Sequence, residues 1–225
     1  MKEVKENPGK PNNIIETTVE FVKSSLADAE AGHDWWHILR VWNNAKLIAA
    51  TEDVDLLIVE LAALLHDIAD SKFHNGNEEI GPKIARDFLE SIHVNREIIH
   101  HVCQIISNMS FKNSMDKVNF YSKEYAVVQD ADRLDAIGAI GIARAFTYGG
   151  FKNNIIYNPE ISPNLSMTKE EYKKAAAPTI NHFYEKLLLL KDKMNTPTAV
   201  KIAETRHQLM ETYLEQFFNE WNGKA

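Results

Sequence analysis

Apolar positions recur along this chain at the three- and four-residue spacing of helices, and almost nowhere with the alternation of strands. The stretch 14–28, IIETTVEFVKSSLAD, sets Ile14, Ile15, Val19, Phe21, Val22 and Leu26 on helical spacing. A second helix is predicted over about 34–50. A third, over 54–67, is nearly continuously apolar and so belongs at the centre of a core. Helices follow at 77–91, 95–108, 122–138 and 140–149; residues 126–128 would pass as strand, but the surrounding period fits helix better. Residues 151–167, FKNNIIYNPEISPNLSM, carry two prolines, four asparagines and no period, the pattern of a lid or binding loop. Two long helices, 169–194 and 197–222, close the chain, the second opened by Thr196-Pro197. The polar residues 1–13 read as a disordered tail. The expectation is an all-α fold, one domain over 14–225 with its core at about 30–150.

Composition narrows the function. The 225 residues are 44% hydrophobic and 25% charged, ordinary values for a globular protein. A net charge of −7 argues against a nucleic-acid polymer as partner, which needs a broad positive face. It leaves room for an anionic small molecule, which a few local cations or a metal suffice to hold. The single cysteine, Cys103, allows no internal disulfide and reads as a small buried hydrophobe. With no membrane-length apolar run and no signal-peptide core, the expected setting is cytoplasmic, with no membrane partner and a homodimer as an option.

Three places break the apolar pattern. His66-Asp67 closes the apolar run LAALLHD, where an acid faces the negative end of the helix dipole, unfavourable by a few tenths to ~1 kcal/mol. A carboxylate there calls for a cation. QDADRLDA sets Asp130, Asp132 and Asp135 in a mostly apolar helix, with Asp132 and Asp135 on a shared face. His37 opens the tryptophan-rich helix, with Arg40 one turn on. His37, His66, Asp67 and one of the three later aspartates make a set of two imidazoles and two carboxylates. Such a set suits Mn²⁺, Fe²⁺, Ni²⁺ or Zn²⁺ better than Ca²⁺.

A second metal pattern competes. HDWWH, 33–37, has the spacing of HExxH, in which two histidines on a helix bind zinc and a glutamate acts as base. Asp34 replaces that glutamate with a shorter arm, and it also looks like an N-cap. If it caps, His33 precedes the helix and the two histidines share no face.

The order His, His-Asp, Asp resembles the signature of the HD-domain metal-dependent phosphohydrolases. The matching residues are HILRVWNNA from His37, LLHDI around His66-Asp67, and ADRLDA around Asp132. GHDWWHILRVWNNA, LLHDIAD, VVQDADRLDAIGAIGIARAFTYGG and HFYEKLLLLKDKMNT narrow the resemblance to small bacterial HD hydrolases of the YpgQ/YedJ type. The resemblance implies packed helices around a metal cleft, with His37, His66, Asp67 and Asp132 as ligands. Asp132 is preferred to Asp130 because ADRL is the pattern that carries the ligand in related domains. It also implies cleavage of nucleoside triphosphates to the monophosphate and pyrophosphate with one divalent ion, Mn²⁺ foremost, then Ni²⁺, Fe²⁺, Zn²⁺ or Mg²⁺.

Further roles follow as expectations. His33 would donate to a phosphate or act as acid, unless it is a turn residue packed on Trp36. Asp70 would position the attacking water beside Asp67, unless it caps the next segment. Arg40 would steady a carboxylate or touch phosphate, and Asp135 would meet a sugar hydroxyl unless it pairs with Arg133 or Arg144. His101, with His100, would bind substrate or a second metal as in some HD relatives, unless the two are a surface histidine beside a core one, and Lys186, His182 and Arg206 would reach the triphosphate. Trp35, Trp36 and Trp42 read as core or staple residues, or as a platform for a base. Two other functions keep the scaffold: hydrolysis of a monophosphate, cyclic nucleotide or alarmone, and non-catalytic sensing of nucleotide or metal. The intact ligand set argues against the sensor.

Overall fold

The computed structural model describes residues 11–27, 34–69, 79–109, 120–166 and 177–224. In chain order its helices are α1 (Pro11–Ser25), α2 (Trp35–Ala49), α3 (Leu56–Leu65), α4 (Ile80–Ser91), α5 (Arg96–Met109), α6 (Lys123–Asp135), α7 (Gly138–Phe151), α8 (Thr179–His182) and α9 (Pro197–Trp221). The fold is all-α, and no strand occurs among the described residues. No helix among them is long and apolar enough to cross a membrane. Contacts group the chain into two compact units, Met1–Ala131 and Asp132–Ala225, with the boundary inside the unbroken helix α6.

In the first unit α3 is the hub, packed against α1, α2 and α5, while α4 packs on α5. Asp55 starts α3 by accepting from the N–H groups of Leu57 at 2.9 Å and Ile58 at 3.3 Å. Ile58, Val59, Leu61, Leu64 and Leu65 are all buried. At ~2 kcal/mol for each large apolar side chain, their burial contributes on the order of 10 kcal/mol. Helix α2 buries a single stripe of His37, Ile38, Val41, Asn44, Ala45 and Ile48. Two of those six are polar, and a buried polar group must find a partner.

In the second unit α7 packs on α8 and α9. Helices α6 and α7, predicted as 122–138 and 140–149, meet at an extended Ile137 (φ −126°, ψ 167°) and at Gly138, whose φ of +74° favours glycine. Thr196 caps α9, its Oγ accepting from the Ala199 N–H at 3.2 Å, with Pro197 at the first turn as predicted.

Two expectations need correction. The polar segment 1–13 is not wholly a tail: α1 begins at Pro11, because proline suits a first helical turn. Residues 1–10 lie outside the described set. The predicted helix 169–194 is not one α-helix either. Residues 167–176 lie outside the described set, and Pro178, with no N–H to donate, sits as an extended N-cap at ψ 143°. A helix runs from Thr179 and passes into a π turn (Phe183–Leu187) and a 3₁₀ segment (Leu188–Lys193).

Residues 152–166, which follow α7, are tied down rather than loose. The N–H groups of Thr179 and Ile180 donate to the carbonyls of Ile155 and Ile156 at 2.9 and 3.0 Å. The Asn181 amide donates to the Ile161 carbonyl at 2.9 Å. Tyr157 packs edge-on against Phe218 and Trp221, at 5.2 and 5.0 Å between centroids.

Candidate metal centre

Helix α2 presents His37 from its first turn. Asp34 caps the helix in extended backbone, and its carboxylate accepts from the His37 N–H at 3.0 Å. That cap places His33 before the helix, so HDWWH lacks the helical face that the HExxH arrangement requires. His37 is only 2% exposed. Helix α3 ends at His66, which keeps helical backbone angles (φ −59°, ψ −29°) as the C-cap.

The Nδ1 of His66 lies 2.9 Å from the carbonyl oxygen of Ala63. A carbonyl only accepts, so Nδ1 is the donor, and in the neutral imidazole Nε2 presents its lone pair. This is the usual way a protein fixes the tautomer of a metal-binding histidine. The rings of His37 and His66 stand edge to face, 5.5 Å between centroids and 68° between planes.

The third member is Asp132, one residue beyond Ala131 on α6. Ligand atoms of His37, His66 and Asp132 all lie within 4.8 Å of one another. Two donors on one transition-metal ion, each ~2.1 Å away, are at most about 4.2 Å apart, so small side-chain rotations close the set. Two imidazoles and one carboxylate on three separate helices fit a divalent transition metal and leave positions for water and substrate. Asp67, half-buried and next to His66, stands outside this trio.

The other aspartates of α6 separate by angle. Asp130 is two residues from Asp132, about 200° around the helix, and is fully buried on another face. Asp135 is 1% exposed, and its carboxylate accepts from Arg144 at 2.5 Å. Arg206 donates to the Leu134 carbonyl at 2.5 Å and so closes the C-terminal end of α6. Its stem crosses Gly138, where an added Cβ would meet Arg206 Cβ at 2.9 Å. Burial lowers the Arg206 pKa from the usual value, while Asp135 opposes the shift.

The remaining predicted residues lie on several elements. Arg40 is half-buried one turn along α2 from His37. His101 Nε2 lies 2.8 Å from Ser122 Oγ and 3.6 Å from Glu124. Ser122 Oγ also accepts from the Tyr125 N–H, capping α6. Lys186 is half-buried in the π turn. Burial and the charge of Lys186 hold His182 down at about 4. Trp36 is 63% exposed and so no core residue, whereas the Trp42 indole donates to Glu60 at 3.0 Å. Cys103 is buried, its thiol pKa raised by that burial. His33 and Asp70 lie outside the described residues.

Two contributors escaped the sequence reading. One is the Ala63 carbonyl, which no side-chain pattern reveals. The other is Asn44, which donates to the Ala131 carbonyl at 3.2 Å. Its position seven residues after His37, on the same helical face, was the available signal.

The HD domain family matches residues 35–137. The chain is 41% identical over 197 residues to YpgQ of Bacillus subtilis, covering 87% of this chain and 88% of that one. It is similar to the crystal structure of an HD-superfamily hydrolase from Bacillus thuringiensis, with 46% identity, a TM-score of 0.76, and coverage of 95% and 99% of the two chains. It is also similar to the crystal structure of Bacillus subtilis YpgQ in complex with ADP, with 36% identity, a TM-score of 0.74, and coverage of 93% and 96%.

Proposed function

The chain belongs to the HD-domain family of hydrolases, and on that premise we propose that it cleaves nucleoside or deoxynucleoside triphosphates to the monophosphate and pyrophosphate. The observation that carries this reading is the convergence of His37, His66 and Asp132. The ADP held by the similar Bacillus subtilis protein supports a nucleotide as ligand.

In this reading His37, His66, Asp67 and Asp132 hold one divalent cation, Mn²⁺ foremost. Asp67, next to His66 in the chain, would be the fourth ligand. The cation supplies Lewis acidity toward a phosphoryl oxygen and lowers the pKa of water. In the neutral imidazole the Ala63 carbonyl holds the His66 proton on Nδ1, so Nε2 is the nitrogen that would face the cation. Asp70 orients water toward the phosphorus and His33 gives a proton to the departing oxygen. Arg40 and Lys186 neutralise the phosphates as charge moves to the leaving pyrophosphate. His101, Asp135 and Arg206 contribute by way of α6, whose two ends they hold, and any substrate contact they make is additional. The reading extends to a cytoplasmic homodimer: Phe151, Ile156 and Leu165 are exposed apolar side chains that a second copy would cover.

The test is a substrate screen. Metal-free protein is supplied with Mn²⁺, Mg²⁺, Ni²⁺ or Zn²⁺ singly and offered nucleoside mono-, di- and triphosphates, cyclic nucleotides and alarmones. Phosphorus NMR then identifies the products. Pyrophosphate and monophosphate from triphosphates support the proposal; orthophosphate from monophosphates, or no turnover with any metal, defeats it.

A further inference from the structure

Asn44 is a polar residue in the buried stripe of α2, only 9% exposed. Its amide nitrogen donates to the carbonyl oxygen of Ala131, 87 residues away, at 3.2 Å. That carbonyl belongs to the peptide bond joining Ala131 to Asp132. As a helical carbonyl it also serves the N–H four residues on, and its two lone pairs accommodate both donors. Seven residues before Asn44, on the same face of α2, stands His37.

Apolar packing holds helices together without fixing their register, because burial is non-directional. A hydrogen bond to a backbone carbonyl is directional and sets position to a few tenths of an ångström. A metal centre needs its ligands held within about 0.5 Å of the productive arrangement. We propose that Asn44 is a positioning residue for the metal centre: it ties the helix that carries His37 to the peptide that carries Asp132, and so sets the spacing of these two ligands. The inference rests on the metal-centre reading above. Asn44 touches neither cation nor substrate, and it acts through Asp132.

A residue that merely fills the core would affect stability and leave metal affinity alone. The experiment therefore measures Mn²⁺ dissociation constants by calorimetry, and melting of the metal-free protein, for wild type, Asn44→Leu and Asn44→Asp. Asn44→Leu keeps the branched outline of the side chain and lacks the donor. Asn44→Asp keeps the shape and sets an acceptor against the carbonyl. Exposed Asn43→Leu is the control. Losing a residue that orients a ligand typically weakens metal binding about 10- to 100-fold, and that is the expected result for both Asn44 variants, with the control unchanged. The absorption bands of bound Co²⁺ are also expected to shift in Asn44→Leu.

A folded Asn44 variant that binds Mn²⁺ as tightly as wild type overturns the proposal. Should neither variant fold, the unaltered protein decides: the Asn44 side-chain amide resonances shift when Zn²⁺ is added, and unmoved resonances overturn it. Wild-type protein that binds no ion sinks the metal-centre reading itself, a result distinct from either.

Discussion

His66 and Ala63 are joined by a hydrogen bond of 2.9 Å in which the imidazole Nδ1 donates to the backbone carbonyl. The bond closes the last turn of α3 and settles which nitrogen is left to bind a cation. One contact thus links helix termination to chemistry, and it needs histidine rather than any other C-cap. Replacing His66 with Gln keeps a polar cap but removes the imidazole. Metal binding and turnover are expected to vanish while melting of the metal-free protein changes by no more than a few degrees. Retained turnover in His66→Gln would remove His66 from the ligand set.

Asp130 and Asp132 offer a second contrast, since helical geometry sends them to different faces. Asp132→Asn is expected to lose metal with little change in the stability of the metal-free protein. Asp130→Asn is expected to keep metal and to lose ~1–3 kcal/mol, because Asp130 is fully buried. Metal titration and urea melts of both variants check this, and the opposite pairing would move the ligand to Asp130.

Much of this was legible in the chain, for identifiable reasons. His66 and Asp132 interrupt apolar stretches, and a polar residue where a core should be is visible without coordinates. The cap Asp34 and the Thr196-Pro197 start follow local rules that do not depend on tertiary structure. Asn44 was hidden because it stands beside Asn43 as one of two polar neighbours, and only its seven-residue spacing from His37 sets it on the inward face. Arg206 carries positive charge like any candidate phosphate ligand; only the fold reveals that it spans Gly138 to reach Leu134. The π and 3₁₀ turns after α8 were hidden because periodicity reports which residues are buried, not which carbonyl each N–H meets.

The Asp135–Arg144 pair holds the end of α6 from within the second unit. Its carboxylate is buried, whereas the Arg144 side chain keeps 31% exposure. Removing one partner of a fully buried pair costs about 3–5 kcal/mol, and the partial exposure of Arg144 reduces that. Asp135→Asn is expected to destabilise the protein by ~2 kcal/mol in chemical melts. Unchanged stability would show the pair to be neutral.

Acid should unfold the protein partly through His182. Burial first, and Lys186 second, lower its pKa from 6.5 to about 4. The unfolded chain therefore binds a proton that the folded chain refuses. The stability from keeping His182 neutral is complete above 6.5, declines as pH falls, and is gone below about 4. The whole effect is on the order of 3 kcal/mol. Urea melts of wild type and His182→Gln across this window should converge as pH falls, and parallel curves would contradict the assignment.

The decisive measurement is the Mn²⁺ stoichiometry of metal-stripped protein by calorimetry, made in parallel on wild type, His37→Ala, His66→Gln and Asp132→Asn. The expected result is one tight site per chain in the wild type and none in any of the three variants, each still folded by circular dichroism. Equal binding by wild type and variants, or no site in the wild type, would contradict the placement of a metal centre at these three residues.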